Sequence, residues 1–254
     1  MTETRLNDRA VIRISTNDEN EDSRDFLQGL VTQDMQIVQP GAPQWAALLT
    51  AQGKVLFDFF LWADGDDILI DCEKHHVEAL EKRLKLYRLR RKIGIGIDGD
   101  YTVHWAREAT DKPADPRLSE LGYRWLEDTQ EDGQNENGVD AAYKAHRLSL
   151  GVTEGQDELG SDKILWLECN ADELNGVSFT KGCYVGQENT ARMNYRQKIN
   201  RRMVVVPLEQ ADEKRQRIAY PELGLSVEHR RVDDISGYDL PDWLATALAE
   251  QPKE

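Results

Sequence analysis

With 254 residues, the chain is long enough for one large domain or two smaller ones with a substantial core. Charged residues make up 31% against 39% apolar, and 32 Lys and Arg against 47 Asp and Glu leave a net charge of −15; this disfavours wholesale nucleic-acid binding, because phosphate backbones need neutralising cations. No apolar run approaches the ~18–20 residues that cross a bilayer, and three cysteines, Cys72, Cys169 and Cys183, make neither a disulfide framework nor a zinc-type spacing.

The opening Met1-Thr2-Glu3-Thr4-Arg5 lacks the basic-then-apolar pattern of a secretory signal. Its acids count against an organellar transit peptide, so a cytoplasmic location is expected. Val11, Ile12 and Ile14 suggest a first strand, and residues 23–31 a helix capped by preceding Asn and Asp. Two apolar runs, 45–50 and 55–62, flank the Gly-containing turn 51–54 and predict a β-hairpin. Ile68, Ile70 and Cys72 alternate on one face of a further strand over 67–72.

Val77, Leu80, Leu84 and Tyr87 fall at helical spacing and predict a helix over 73–89. Ile93, Ile95 and Ile97 alternate with Gly94 and Gly96, a strand pattern that lacks the glycine spacing and following helix of a dinucleotide fingerprint. A strand is expected over 101–107, and a short one over 122–126 is flanked by acidic, Gly-, Pro- and Asn-containing loops at 108–116 and 127–138. A helix over 139–150 ends at Gly151. Strands at 203–208 and near Ile218 and Leu225 precede a final helix over 241–249, with Pro241 in its first turn. This order predicts an α+β protein of mainly antiparallel sheets.

Two stretches concentrate the cations: Lys82, Arg83, Lys85, Arg88, Arg90, Arg91 and Lys92, then Arg192, Arg196, Lys198, Arg201 and Arg202. Each reads either as a solvated face or as a site for an anionic ligand or an RNA. The six tryptophans and Cys72 and Cys169 read as core, and His75 and His76 as solvated helix-start residues.

The chemistry concentrates in Phe179-Thr180-Lys181-Gly182-Cys183-Tyr184-Val185-Gly186-Gln187-Glu188-Asn189-Thr190-Ala191-Arg192. Two glycines bracket a Cys-Tyr pair, and glycine lets a backbone take positive φ close to a ligand. Lys181 and a helix starting near 186–188 would favour thiolate at Cys183. By these residues alone, Cys183 is either a reactive thiol beside a ligand-contacting turn or a packed, inert one.

Lys-Gly-Cys-Tyr-Val-Gly-Gln-Glu at 181–188 resembles the signature of the YgfZ-type family, which includes mitochondrial iron–sulfur assembly homologues. Phe26-Leu27-Gln28-Gly29-Leu30-Val31-Thr32-Gln33-Asp34 resembles its N-terminal motif, and residues 48–58 its central hairpin. Tyr87-Arg88-Leu89-Arg90-Arg91-Lys92 and Arg147-Leu148-Ser149-Leu150-Gly151 follow in the family's order. The likeness spans roughly residues 8–206.

The resemblance implies an aminomethyltransferase-like (GcvT-like) α+β fold of antiparallel sheets with flanking helices around a central channel. Residues 1–200 would form that region, and residues 201–254 a short, reduced C-terminal β-barrel with a terminal helix. It further implies tetrahydrofolate in the channel and a role in assembly or repair of iron–sulfur clusters, with iron–sulfur proteins, assembly factors, tRNA or tRNA-modifying enzymes as partners. Carried onto this chain, Cys183 and Lys181 become the reactive residues. Asp34, Asp58, Tyr184, Gly186, Gln187, Glu188 and Arg192 become the folate-binding ones.

Three departures stand out. Phe57-Asp58 replaces an acid pair, and Asp58 alone is expected to face the wrong side of its strand, which disfavours aminomethyl transfer. Ser149 stands where many relatives carry a Glu, so folate is expected to bind more weakly or to be held by another acid. The tail is short for the family barrel. A folate-dependent one-carbon transferase and an RNA- or protein-binding module are the alternatives to the accessory role.

Overall fold

In the computed structural model the described residues are 4–16, 18–108, 111–129, 138–196, 199–235 and 237–250. Residues 1–3, parts of both expected acidic loops (109–110 and 130–137) and Lys198 lie outside them.

Strands β1 (Arg9–Thr16), β2 (Gln44–Leu49), β3 (Val55–Asp64), β4 (Asp67–Glu73) and β5 (Ile93–Asp98) form one antiparallel sheet in the order β2-β3-β4-β1-β5. Burial is nearly continuous along β2, β3 and β4, because both faces of this sheet are covered. One face, with Ile12, Leu48, Phe59, Leu61 and Ile70, packs on helices α1 (Ser23–Gln28) and α2 (Val77–Arg88). The other, with Trp45, Phe60, Trp62 and Leu69, packs on the two-stranded hairpin of β6 (Tyr101–Ala106) and β7 (Tyr123–Asp128), on α3 (Asp140–Ser149) and on Trp166.

Helix α1 is shorter than the 23–31 expected. Asp22 caps its start by accepting from Arg24 N at 2.6 Å, and the chain turns out at Gly29. Helix α2 begins only at Val77, after a 3-10 turn over Lys74–His76. A short helix α4 (Gly155–Leu159) lies against β3 and is unforeseen, since five residues carry no readable period. Helix α5 (Gln187–Arg196) starts where expected.

Strands β8 (Arg201–Pro207), β9 (Gln216–Tyr220) and β10 (Leu225–Arg231) make a three-stranded antiparallel sheet in the order β8-β10-β9, followed by α6 (Asp242–Glu250). Met203, Tyr220 and Val227 of this sheet join the main core, while Val204, Val206, Ile235 and Leu244 form a small cluster of their own. Among the described residues, no helix is long and apolar enough to cross a membrane.

Candidate functional site

Three segments distant in sequence converge on residues 181–188. The first is the end of α1: Val185 N donates to Gly29 O at 3.2 Å and Gln28 Nε2 to Lys181 O at 3.3 Å. The second is the β2–β3 turn, where Asn189 Nδ2 donates to Gln52 O at 2.8 Å. Gly186, at φ +85°, sits so tightly on this turn that a Cβ there would lie 2.5 Å from Thr50 O and 3.1 Å from Gly53 Cα. The third is the segment 31–33, whose Val31 and Gln33 carbonyls take the Lys181 ammonium, while the buried Thr32 between them donates to Gly176 O at 2.7 Å and accepts from Ala47 N at 2.9 Å. Glycine is required at Gly186 by both the dihedral and the approach.

On this platform Cys183 is exposed, whereas Cys72 and Cys169 are buried. Burial pushes the Cys72 thiol up to about 12 and Cys169 well above its ordinary value, so neither supplies thiolate near neutrality. Cys183 precedes α5 by four residues, in a loop bracketed by Gly182 at φ +98° and Gly186.

Lys181 does not stand in the solvent beside the thiol. Its Nζ donates to Val31 O at 2.7 Å and Gln33 O at 2.6 Å, and it lies 5.1 Å from the Tyr184 ring centroid. Burial lowers its pKa to about 7, partly offset by Asp34. With two ammonium hydrogens held by backbone carbonyls, Lys181 ties the Cys183 loop to the segment after α1.

Asp34 caps the short turn Met35–Ile37 by accepting from Gln36 N at 3.0 Å, and it also accepts from Gln28 Nε2 at 3.1 Å. It therefore joins the Lys181 platform through Gln28. Tyr184 is buried beneath the loop, and Gln187 N donates to Tyr184 O at 3.1 Å. Glu188 and Arg192 pair with each other at 3.1 Å on the solvent face of α5, with Glu188 in its first turn.

Asp58 is placed differently from the others and from expectation. It lies on the inner face of β3, buried with Phe60, while Phe57 packs on the opposite face. The strand therefore aims Asp58 inward, not away. It accepts from Trp45 Nε1 at 3.2 Å and from Gly155 N at 3.1 Å. Burial, then Glu154 and Glu73, raises its pKa to about 7, opposed by Arg9 and the Trp45 hydrogen bond.

An aspartate whose folded value lies above its unfolded 3.8 destabilises the fold as it ionises, with no cost below pH 3.8 and the full cost above about pH 7. Between pH 5 and 8 the protein is expected to lose up to about 3 kcal/mol of stability on this account, and Asp58→Asn correspondingly less. Equal pH slopes in urea titrations of the two proteins would rule Asp58 out as the titrating group.

Ser149, the position expected to weaken a folate site, does not face the interior. It is exposed at the end of α3, and its hydroxyl donates to His146 O at 2.7 Å. Glu154 and Glu158 face the interior, as Asp58, Asp71 and Asp115 do; the two glutamates were missed in the sequence because they sit at the cap and within a helix too short to recognise. Arg202, expected in a basic surface stretch, is buried and paired with Glu173 at 2.6 Å. Arg91 pairs with Glu21 and Lys92 with Asp18, so part of each basic stretch is engaged by acids from elsewhere in the chain.

No protein-family model matches the chain. Among curated proteins it is similar to the iron-sulfur cluster assembly factor IBA57, mitochondrial, of Homo sapiens (33% identical over 238 residues, 80% of this chain and 65% of that protein) and of Mus musculus (32% over 242 residues, 81% and 66%). It is also similar to the mitochondrial IBA57 homolog of Coccidioides immitis (33% over 242 residues, 80% and 56%). Among solved structures it resembles the glycine cleavage system aminomethyltransferase T of Bartonella henselae, with TM-score 0.65 at 10% identity over 90% of this chain and 78% of that one.

The chain belongs to the YgfZ-type, aminomethyltransferase-like family. Its α+β fold is that of the aminomethyltransferase. The chain spans 56–66% of the length of these curated relatives. The cytoplasmic location expected from the N-terminus is corrected by them: the relatives are mitochondrial proteins.

Proposed function

We propose that this YgfZ-type protein is an iron–sulfur cluster assembly factor that offers Cys183 to a cluster or a partner protein. The observation that carries the reading is the contrast among the thiols: Cys183 alone is exposed, on a loop held by the N-terminal and hairpin motifs. The naming of the matched relatives as iron-sulfur cluster assembly factors supports it.

Among the described residues no group of three His, Cys, Asp or Glu could hold a metal ion. One thiolate does not hold a cluster, for which four ligands are usual, so the remaining ligands would come from an iron–sulfur protein or assembly factor docked at the Cys183 loop. Clients would be iron–sulfur enzymes, radical tRNA-modifying enzymes included. Within the two basic stretches Lys85, Arg91, Lys92, Arg192 and Arg202 are paired with acids, which weakens the case for direct tRNA binding. Folate enters no step of this reading. Aminomethyl transfer stays disfavoured, since Phe57 has no proton to move and Asp58 is engaged by Trp45 and Gly155.

In a deletion strain, Cys183→Ala is expected to leave iron–sulfur enzyme activity at the level of the empty vector, while accumulating as well as the parent. Full restoration by Cys183→Ala would end the thiol's part in the proposal. Alkylation under native conditions should label Cys183 and spare Cys72 and Cys169.

A further inference from the structure

The family resemblance directs attention to the interior, where tetrahydrofolate would be held. That space lies between the inner face of the five-stranded sheet, the β6–β7 hairpin, α3 and α4, and it is occupied by the chain's own charges. Four buried guanidiniums, those of Arg9, Arg117, Arg124 and Arg147, meet four buried carboxylates, those of Asp71, Asp115, Glu154 and Glu158. We infer that this interior is a closed ion-pair core that does not admit tetrahydrofolate.

Each of these four acids is fully engaged. Glu154 accepts from Arg9 Nη1 at 3.2 Å, Arg117 Nη1 at 2.7 Å and Tyr143 OH at 2.6 Å. Glu158 takes both terminal nitrogens of Arg147, at 2.8 and 2.7 Å, together with Tyr220 OH at 3.0 Å and Glu154 N at 2.8 Å. Asp115 is bound by Arg117 Nε and Nη2 at 3.0 and 2.8 Å. Asp71 is bridged by Arg9 Nε and Arg124 Nε, each at 2.7 Å. A pterin presents N–H donors that need a carboxylate partner; these four are committed to arginines, and Asp58, which also faces the interior, is held by Trp45 Nε1 and Gly155 N.

Nor is there room. The cavity left beside Arg9, Tyr143, Arg147, Glu154 and Glu158 holds about 130 Å³, whereas sites for ligands of this size run to ~300–1,000 Å³. Its charged lining suits a few waters. Making space for a pterin would pull apart buried ion pairs and strand their partners, a strongly unfavourable change. Arg124 Nη1 and Nη2 have no hydrogen-bond partner among the described residues. They add no folate contact, because the guanidinium stacks 4.2 Å from the Phe60 ring centroid and does not border the cavity.

The test is anaerobic calorimetry of the reduced, full-length protein with tetrahydrofolate up to about 1 mM, beside two variants at the cavity rim, Lys144→Trp and His75→Trp. Both positions line the cavity, His75 is exposed and Lys144 half-buried, so either substitution can block entry even if the other impairs folding. The expected results are no saturable binding and no thermal shift on adding tetrahydrofolate. Binding that both folded variants leave unchanged would place folate outside the interior and also supports the inference. Saturable 1:1 binding weakened about tenfold or more by either folded variant overturns it. None of these outcomes depends on the role of Cys183, so the two proposals fail separately.

Discussion

Arg117→Met is expected to lower the thermal midpoint by about 10 °C, the largest single-residue effect outside the apolar core. Arg117 is fully buried and donates to Asp115, Glu154 and Tyr143. Its guanidinium also lies 4.7 Å from the Phe60 centroid and 5.5 Å from that of Trp45. Methionine keeps much of the volume and abolishes the charge. Asp115 and Glu154 would then remain buried without their main counter-charge, a loss that typically costs ~3–5 kcal/mol. At ~2–4 °C per kcal/mol for a chain of this size, that is about 10 °C.

Glu154 shows the dependence directly. Burial pushes it up, yet Arg117, Arg9, Arg147 and Arg124 hold it well below the usual carboxylate range. The double variant Arg117→Met/Glu154→Gln should recover part of the loss, because it removes one of the stranded charges. A fall of less than about 2 °C in the single variant would mean the ion-pair core contributes little.

Gly186→Ala should cost about 3 kcal/mol in urea unfolding, and the reason is two-fold. An L-residue at φ +85° is unfavourable by ~1–2 kcal/mol. The new methyl would also stand 2.5 Å from Thr50 O and 3.0 Å from Leu49 Cβ, and backbone cannot rotate aside as a side chain can. The turn that seats the Cys183 loop would have to shift. Gly182→Ala provides the contrast: it has φ +98° but open space around it, so its cost should stop at about 1 kcal/mol. Equal losses in the two variants would show that the close approach at Gly186 carries no energy.

Much of this architecture was legible in local pattern. Alternation at Ile68, Ile70 and Cys72 marked β4, and spacing at Val77, Leu80 and Leu84 marked α2, because each pattern reports one buried face of one element. The glycines around Cys183 announced positive φ, and both have it. The short α4 escaped, as did the end of α1 at Gln28, where the chain turns out at Gly29.

The buried charges were the main omission. Arg9 and Glu154 are 145 positions apart, and Arg124 and Asp71 are 53 apart. In the sequence each is an ordinary polar residue. A signal was present at Arg124, set between Tyr123 and Trp125 in a strand, but it names no partner. Likewise the expected basic face at 192–202 ignored Glu173, which takes Arg202 into the core.

By itself, then, the sequence determined the order of the strands and longer helices, the glycine-bracketed thiol and membership of the family, since each rests on residues adjacent or periodic along the chain. Only the tertiary structure decided that Asp58 points inward, that Lys181 spends its charge on the Val31 and Gln33 carbonyls, and that the interior is filled by its own ion pairs. Those outcomes depend on which side chains from remote segments meet in a low-dielectric interior, where an unpaired charge is too costly to leave.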